Sequence, residues 1–146
     1  MLTEKRIITF PLGIPGFETY RDFMFIPEEN SPVAQLISQE EANIRFILLY
    51  PQLSFPEYLE NIEVSDESIK NLNLDAGAKK LVDVWLILTL NHNDPTKTTA
   101  NLRAPLLFNL PEGIGMQVIL NDDKYMSRTP LFAQENKRSF LEGVVE

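Results

Sequence analysis

The 146-residue chain contains no cysteine and one histidine. Without cysteine there are no disulfides, thiolate metal sites or thiol nucleophiles, and with His92 alone there is no two-histidine metal site. Glycine is scarce at six residues, and neither G-x-x-x-x-G-K-[ST] nor G-x-S-x-G occurs. Gly113 and Gly115 have the first spacing of a dinucleotide fingerprint, but Val118 stands where the third glycine belongs, so the pair reads as a hairpin turn. Basic residues are outnumbered, 13 Lys and Arg against 21 Asp and Glu, for a net charge of −8. That balance argues against direct nucleic-acid binding, because phosphates are contacted mainly by clustered Lys and Arg. The apolar run from Val84 to Leu88 falls far short of the roughly 20 residues that span a bilayer. The start of the chain, with Lys5 and Arg6 ahead of Pro11 and Gly13, lacks the long apolar stretch of a signal peptide. What these absences leave is an acidic soluble domain, with the cytoplasm as its default location.

Ten prolines cut the chain into short segments and leave little room for long helices. Residues 6–10, 23–26, 33–37 and 44–50 are rich in β-branched and aromatic types and read as strands. The link from Pro27 to Pro32 is polar with a proline at each end, as a hairpin loop would be. Residues 80–90 give the strongest strand, apolar on both faces as a central strand is. Residues 106–109 and 116–120 follow as two more, closed by the turn Asn121-Asp122-Asp123. Between the fourth strand and residue 80 the pattern is mixed. Ser54-Phe55-Pro56-Glu57 suits a helix start, residues 58–64 suit either a helix or an edge strand, and Ser65 is a good N-cap for a helix carrying Ile69 and Leu72. The expectation is a mainly β fold: a small antiparallel β-barrel-like or sandwich domain over residues 1–132 with one or two short helices. Residues 133–146 form a C-terminal tail, helical or irregular, and no separate domain.

The catalytic inventory is thin. His92 stands among Asn91, Asn93 and Asp94 with no serine partner in sight and reads as a loop residue. The carboxylate pairs Glu28-Glu29, Glu40-Glu41, Asp66-Glu67 and Asp122-Asp123 fall in turns or helix starts, where acids are ordinary. One cluster is denser. From 57 to 75 the charged residues are Glu57, Glu60, Glu63, Asp66, Glu67 and Asp75 against Lys70 alone, a net −5. Such a face can steer a basic protein partner and repel nucleic acid; it is equally what keeps a helix soluble.

Two motifs exceed the needs of plain turns. In Gly13-Ile14-Pro15-Gly16-Phe17-Glu18, Pro15-Gly16 suits a type II turn, and Ile14 and Phe17 flank it. Displayed outward, they would be rigid apolar anchors for a partner; folded inward, they would plug a barrel end. In Asn101-Leu102-Arg103-Ala104-Pro105, the Asn side chain can bond nearby backbone while Pro105 sets a strand edge.

These motifs, in this order, resemble the FliW family of bacterial flagellar assembly factors. The stretches that carry the resemblance are FPLGIPGFETYRDF (10–23), PVAQLISQE (32–40), IRFILLYP (44–51), FPEYLENI (55–62), TTANLRAPLLFN (98–109) and GMQVILNDDKYMSRTPLF (115–132). The resemblance implies a β-barrel-like protein that is not an enzyme and uses no cofactor or metal. It implies two protein partners in the cytoplasm: flagellin, held in a chaperone-like way before export, and the homodimeric translational repressor CsrA, the carbon storage regulator, which is prevented from repressing flagellin mRNA. No direct contact with nucleic acid or membrane is expected, and the free chain is expected to be a monomer. Candidate partner-binding residues are Ile14 and Phe17, the insert residues Glu57, Tyr58, Glu60, Glu63 and Glu67, and Asn101 and Leu102. The competing reading is a small-molecule-binding β-barrel with its ligand in the barrel mouth, which would require polar groups converging on a pocket.

Overall fold

The computed structural model describes residues 4–75 and 77–132. A meander of four antiparallel strands opens it: β1 (Arg6–Thr9), β2 (Asp22–Pro27), β3 (Val33–Ser38) and β4 (Arg45–Leu49). In β2 and β3 buried residues alternate with half-exposed ones, the period of a sheet with one face in a core. Two short helices follow, α1 (Tyr58–Asn61) and α2 (Asp66–Asn71), then β5 (Asp83–Thr89), a two-residue β6 (Thr99–Ala100), β7 (Leu106–Asn109), β8 (Ile114–Gln117) and a two-residue β9 (Thr129–Pro130). The sheet order β4-β3-β2-β1-β8-β7-β5 closes on itself because β4 also pairs with β5. The result is a seven-stranded barrel, antiparallel except where Thr9 meets Ile114 in a single parallel step. The strands β6 and β9 form a flap beyond β5.

The barrel holds one core and carries a second on its outer wall. Inside, Ile8, Phe10, Phe23, Phe25, Leu36, Leu48, Trp85, Leu106 and Phe108 are buried together. Their rings meet edge to face: Phe10 against Phe23 at 5.4 Å between centroids, and Phe25 against Phe108 at 5.3 Å and against Trp85 at 5.1 Å, the geometry that aromatic quadrupoles favour. Gly115 completes the fit, since a Cβ there would come within 2.8–2.9 Å of Ile8, Phe10 and Phe108. Outside, Leu86, Leu107, Met116 and Leu120 pack against Tyr58, Ile62 and Leu72 of the helical insert. Strand β5 serves both cores, Trp85 facing in and Val84, Leu86 and Leu88 facing out, which is why its sequence shows no alternation.

The mainly β barrel with two short helices is the expected fold, and the Pro27–Pro32 hairpin and the Ser65 N-cap are where expected: the Ser65 hydroxyl accepts the Ser68 N–H. Two strands differ from expectation by more than one residue at an end, and two further strands are not among those expected. The strand expected over 80–90 begins at Asp83, because Gly77 is left-handed (φ 87°) and sends the chain into a 3-10 turn, Ala78–Leu81, that leaves Leu81 exposed. The strand expected over 116–120 starts earlier, at Ile114, and its regular ladder stops at Gln117. Val118 donates to the Pro105 carbonyl, but Pro105 has no N–H to return. The two-residue strands β6 and β9 are too short to leave a pattern in the sequence. The expected tail, 133–146, lies outside the described residues. Among those described, no helix is long and apolar enough to cross a membrane.

Candidate protein-docking surface

The acidic segment lies on the insert between β4 and β5, and buried bonds fix it to the barrel. The Tyr58 hydroxyl donates to the Leu102 carbonyl at 2.6 Å, and its ring stands edge-on to Tyr125 at 5.3 Å. Burial, with Tyr125 beside it, pushes the Tyr58 phenol well above its ordinary pKa, so the hydroxyl remains a donor at any physiological pH. At the other end of the insert, the Asn109 side-chain amide donates to the Leu72 carbonyl at 2.8 Å. Both tethers satisfy groups that would otherwise be buried without partners. With Ile62, Ile69 and Leu72 in or beneath the apolar contact, Glu57, Glu60, Glu63, Asp66, Glu67 and Asp75 are all exposed. Two of them, Asp66 and Glu67, sit in the first turn of α2, where the helix dipole favours negative charge.

Facing the insert is the chain from Val118 to Tyr125. Between the two runs a groove of about 820 Å³, lined by Asn61, Glu63, Val64, Asp66, Ile119 and Asp122 among others. It adjoins a second depression of about 440 Å³ beside Phe55, Glu57 and Leu102. Asn61, Lys124 and Tyr125 line both. Lys124 is the basic side chain in this lining, and it is engaged: its ammonium lies 3.6 Å from Asp122 and 5.1 Å from the centre of the Tyr125 ring. The groove thus presents carboxylates, backbone and exposed apolar surface, Ile119 being 65% exposed.

The candidate residues divide by location. Glu57, Glu60, Glu63 and Glu67 form the exposed acidic face. Tyr58 and Leu102 are buried and bonded to each other, so they support that face from beneath. Asn101 does what its turn chemistry predicts: its side-chain oxygen accepts the N–H groups of Arg103 and Ala104. The outward display of Ile14 is corrected. Ile14 is only 2% exposed and belongs to the inner core. The type II turn forms as expected, with Gly16 at φ 88° and the Phe17 N–H donating to the Ile14 carbonyl, and this geometry aims Ile14 into the barrel end. Phe17 is half-buried, edge-on to Phe46 at 5.3 Å. The two motifs therefore serve different cores. The residues missed by sequence reasoning are those of the opposite wall, Ile119, Lys124 and Tyr125. A signal for one was present: with Met116, Val118 and Leu120 on one face, alternation leaves Ile119 as an apolar residue on the other.

A further depression of about 690 Å³ lies at the barrel mouth, lined by Phe25, Tyr50, Leu53, Asp83, Trp85 and Leu110 among others. Burial pushes the Asp83 carboxyl above its ordinary pKa, with Arg6 and the indole of Trp85 pulling the other way. The indole N–H of Trp85 is buried and has no hydrogen-bond partner among the described residues. Trp85 itself is 1% exposed and packed against Phe25 and Tyr50, and below it the barrel is filled with rings. Among the described residues no group of three or more His, Cys, Asp or Glu side chains is placed to hold a metal.

Comparison with known proteins gives a consistent result. The family model described as FliW protein matches residues 1–131. A flagellar assembly factor FliW from Thermosipho africanus is 41% identical over 125 residues, covering 85% of this chain and 83% of that protein. The one from Clostridium tetani is 39% identical over 136 residues, covering 92% and 90%. A crystal structure of a flagellar assembly factor FliW superimposes with a TM-score of 0.78 at 32% identity, covering 88% of this chain and 87% of that one.

Proposed function

This chain belongs to the FliW family, and on that premise we propose that it works by binding two proteins and not by catalysis. In this reading it holds flagellin in the cytoplasm in a chaperone-like way, and it also binds the repressor CsrA and prevents it from repressing flagellin translation. Export of flagellin frees the chain to take up the repressor, so that synthesis follows demand. The observation that carries the reading, beyond family membership, is the anchored insert, whose 57–75 stretch exposes six carboxylates against one lysine. A protein that binds RNA must present a basic groove. An acidic body docked beside that groove excludes RNA by charge and bulk. At physiological salt the Debye length is about 8 Å, so the exclusion requires the 57–75 face to lie near the RNA path. Flagellin, whose terminal regions are helical when assembled, suits a groove that accepts an amphipathic segment.

The test is a pull-down by this protein of flagellin and of CsrA, each with the other as competitor. Capture of both, with flagellin displacing the repressor or the reverse, is the expected result. Capture of neither ends the reading.

A further inference from the structure

The groove between the insert and residues 118–125 has a property that its charge does not explain: one of its walls is an open strand edge. The N–H groups of Val118 and Leu120 donate to the carbonyls of Pro105 and Arg103. Successive N–H groups of an extended strand point to opposite sides, so those of Gln117 and Ile119 point away from β7. The strand on that side, β1, pairs with β8 only at Thr9–Ile114, and its chain leaves at the Pro11 turn. Among the described residues, the backbone N–H and C=O of Ile119 have no hydrogen-bond partner. The hydrogen-bonded wall is thus open at this edge, and Ile119 marks it with a 65% exposed apolar side chain.

Across the groove the chain linking the two helices is also extended, with Ile62 at φ −72°, ψ 145° and Ser65 at φ −68°, ψ 155°. Two extended backbones therefore flank a trough of about 820 Å³. Natural proteins cover, charge or twist such edges. Here the edge is left beside Glu63, Asp66 and Asp122.

We propose that the edge at Gln117–Ile119 is a β-strand addition site, which takes an extended, lysine- or arginine-bearing segment of a protein partner as an extra strand in the trough. Main-chain bonds to Ile119 supply the pairing, as in other strand-addition sites. The carboxylates of Glu63, Asp66 and Asp122 select basic side chains that alternate with the apolar ones lying on Ile119. The choice of partner rests on the reading of the insert as a face for a basic protein; the strand edge itself does not.

Replacing Ile119 by proline removes the free N–H without touching a bond of the fold, whereas Ile119→Thr keeps that N–H and the strand preference. Binding of the CsrA homodimer and of flagellin is measured by calorimetry for wild type and both variants, with hydrogen exchange followed at Gln117 and Ile119. The expected result is at least tenfold weaker binding of one partner by Ile119→Pro, less than threefold by Ile119→Thr, and protection of both amides in the wild-type complex. Equal losses in the two variants, or unprotected amides in the complex, overturn the proposal. If Ile119→Pro fails to fold, the wild-type protection decides alone. If wild type binds neither protein, the functional reading fails, and a blocked peptide of alternating lysine and valine becomes the probe. Protection of the two amides by that peptide, and not by its glutamate counterpart, then supports the edge site; no protection overturns it. Concentration-dependent dimerisation that protects the same amides assigns the edge to a second copy and likewise overturns it.

Discussion

The inner and outer cores of this barrel are built by different rules. The inner one is a set of rings meeting edge to face, with a glycine where a methyl group would collide. The outer one is mostly aliphatic, with a single edge-on ring pair, Tyr58 and Tyr125, and is fixed by two buried side-chain-to-backbone hydrogen bonds, Tyr58 to Leu102 and Asn109 to Leu72. Apolar packing is non-directional, whereas a hydrogen bond specifies distance and angle. The inner core therefore supplies stability, and the outer one uses hydrogen bonds to hold an acidic insert in one position against the wall. A docking face needs the second property, since affinity depends on how little must be ordered on binding.

The sharpest way to break this comparison is to remove one ring and one tether. Phe108 is fully buried and touches both Phe10 and Phe25. Phe108→Ala is expected to cost about 3–5 kcal/mol, the range for deleting a core aromatic, measured by urea or guanidinium unfolding. Tyr58→Phe keeps the ring and loses the hydroxyl, leaving the Leu102 carbonyl without its donor. The expected cost is about 1–3 kcal/mol, with hydrogen exchange quickened across the insert and unchanged in β1 to β3. If Tyr58→Phe costs as much as Phe108→Ala, or loosens the whole barrel, the two cores are one cooperative unit and the division fails.

The sequence disclosed these two regions unequally. The strands of the barrel were legible because their residues are β-branched and aromatic, and because proline and glycine mark their ends. The Ser65 cap and the double-faced β5 were legible for equally local reasons. The orientation of Ile14 was not, because the type II turn at Pro15-Gly16 fixes the backbone but only the barrel's ring closure decides which side is inside. Likewise, Tyr58 and Leu102 are 44 residues apart, and no local pattern announces that one donates to the other. The acidic face was countable from the sequence. Its opposite wall, Ile119 to Tyr125, required the tertiary fold.

A smaller effect tests the barrel mouth, where the inner core meets polar groups. Burial raises the Asp83 carboxyl above its ordinary pKa, so the folded state binds that proton more tightly than the unfolded chain does. The stability contribution is then complete below the unfolded pKa, about 3.9, and is lost as pH rises through the higher folded value. Asp83→Asn keeps the shape without the charge. It is expected to raise the melting temperature at neutral pH modestly and to flatten its fall between acid and neutral pH. A lower melting temperature at neutral pH would mean that attraction to Arg6 outweighs burial. Because Trp85 is the sole tryptophan and lines the same depression, its fluorescence reports whether the mouth is disturbed.

The smallest effect on stability is expected where the effect on function is largest. Glu60, Glu63 and Glu67 are exposed, and surface substitutions away from special features usually change stability by no more than about 0.5 kcal/mol each. Reversing all three to lysine changes the charge of the insert by six units and moves it from net acidic to net basic. The unfolding midpoint should stay close to wild type, because the tethers of Tyr58 and Asn109 and the packing of Leu72 are untouched. In the proposed function, the reversed face would no longer keep RNA from a docked repressor, and an RNA competition curve should shift toward retained RNA binding. That shift should shrink as salt is raised, since screening removes exposed-charge effects first. An unchanged curve at low salt would mean that the carboxylates serve only solubility. A large loss of stability would mean that the acidic face, and not the two buried tethers, holds the insert to the barrel.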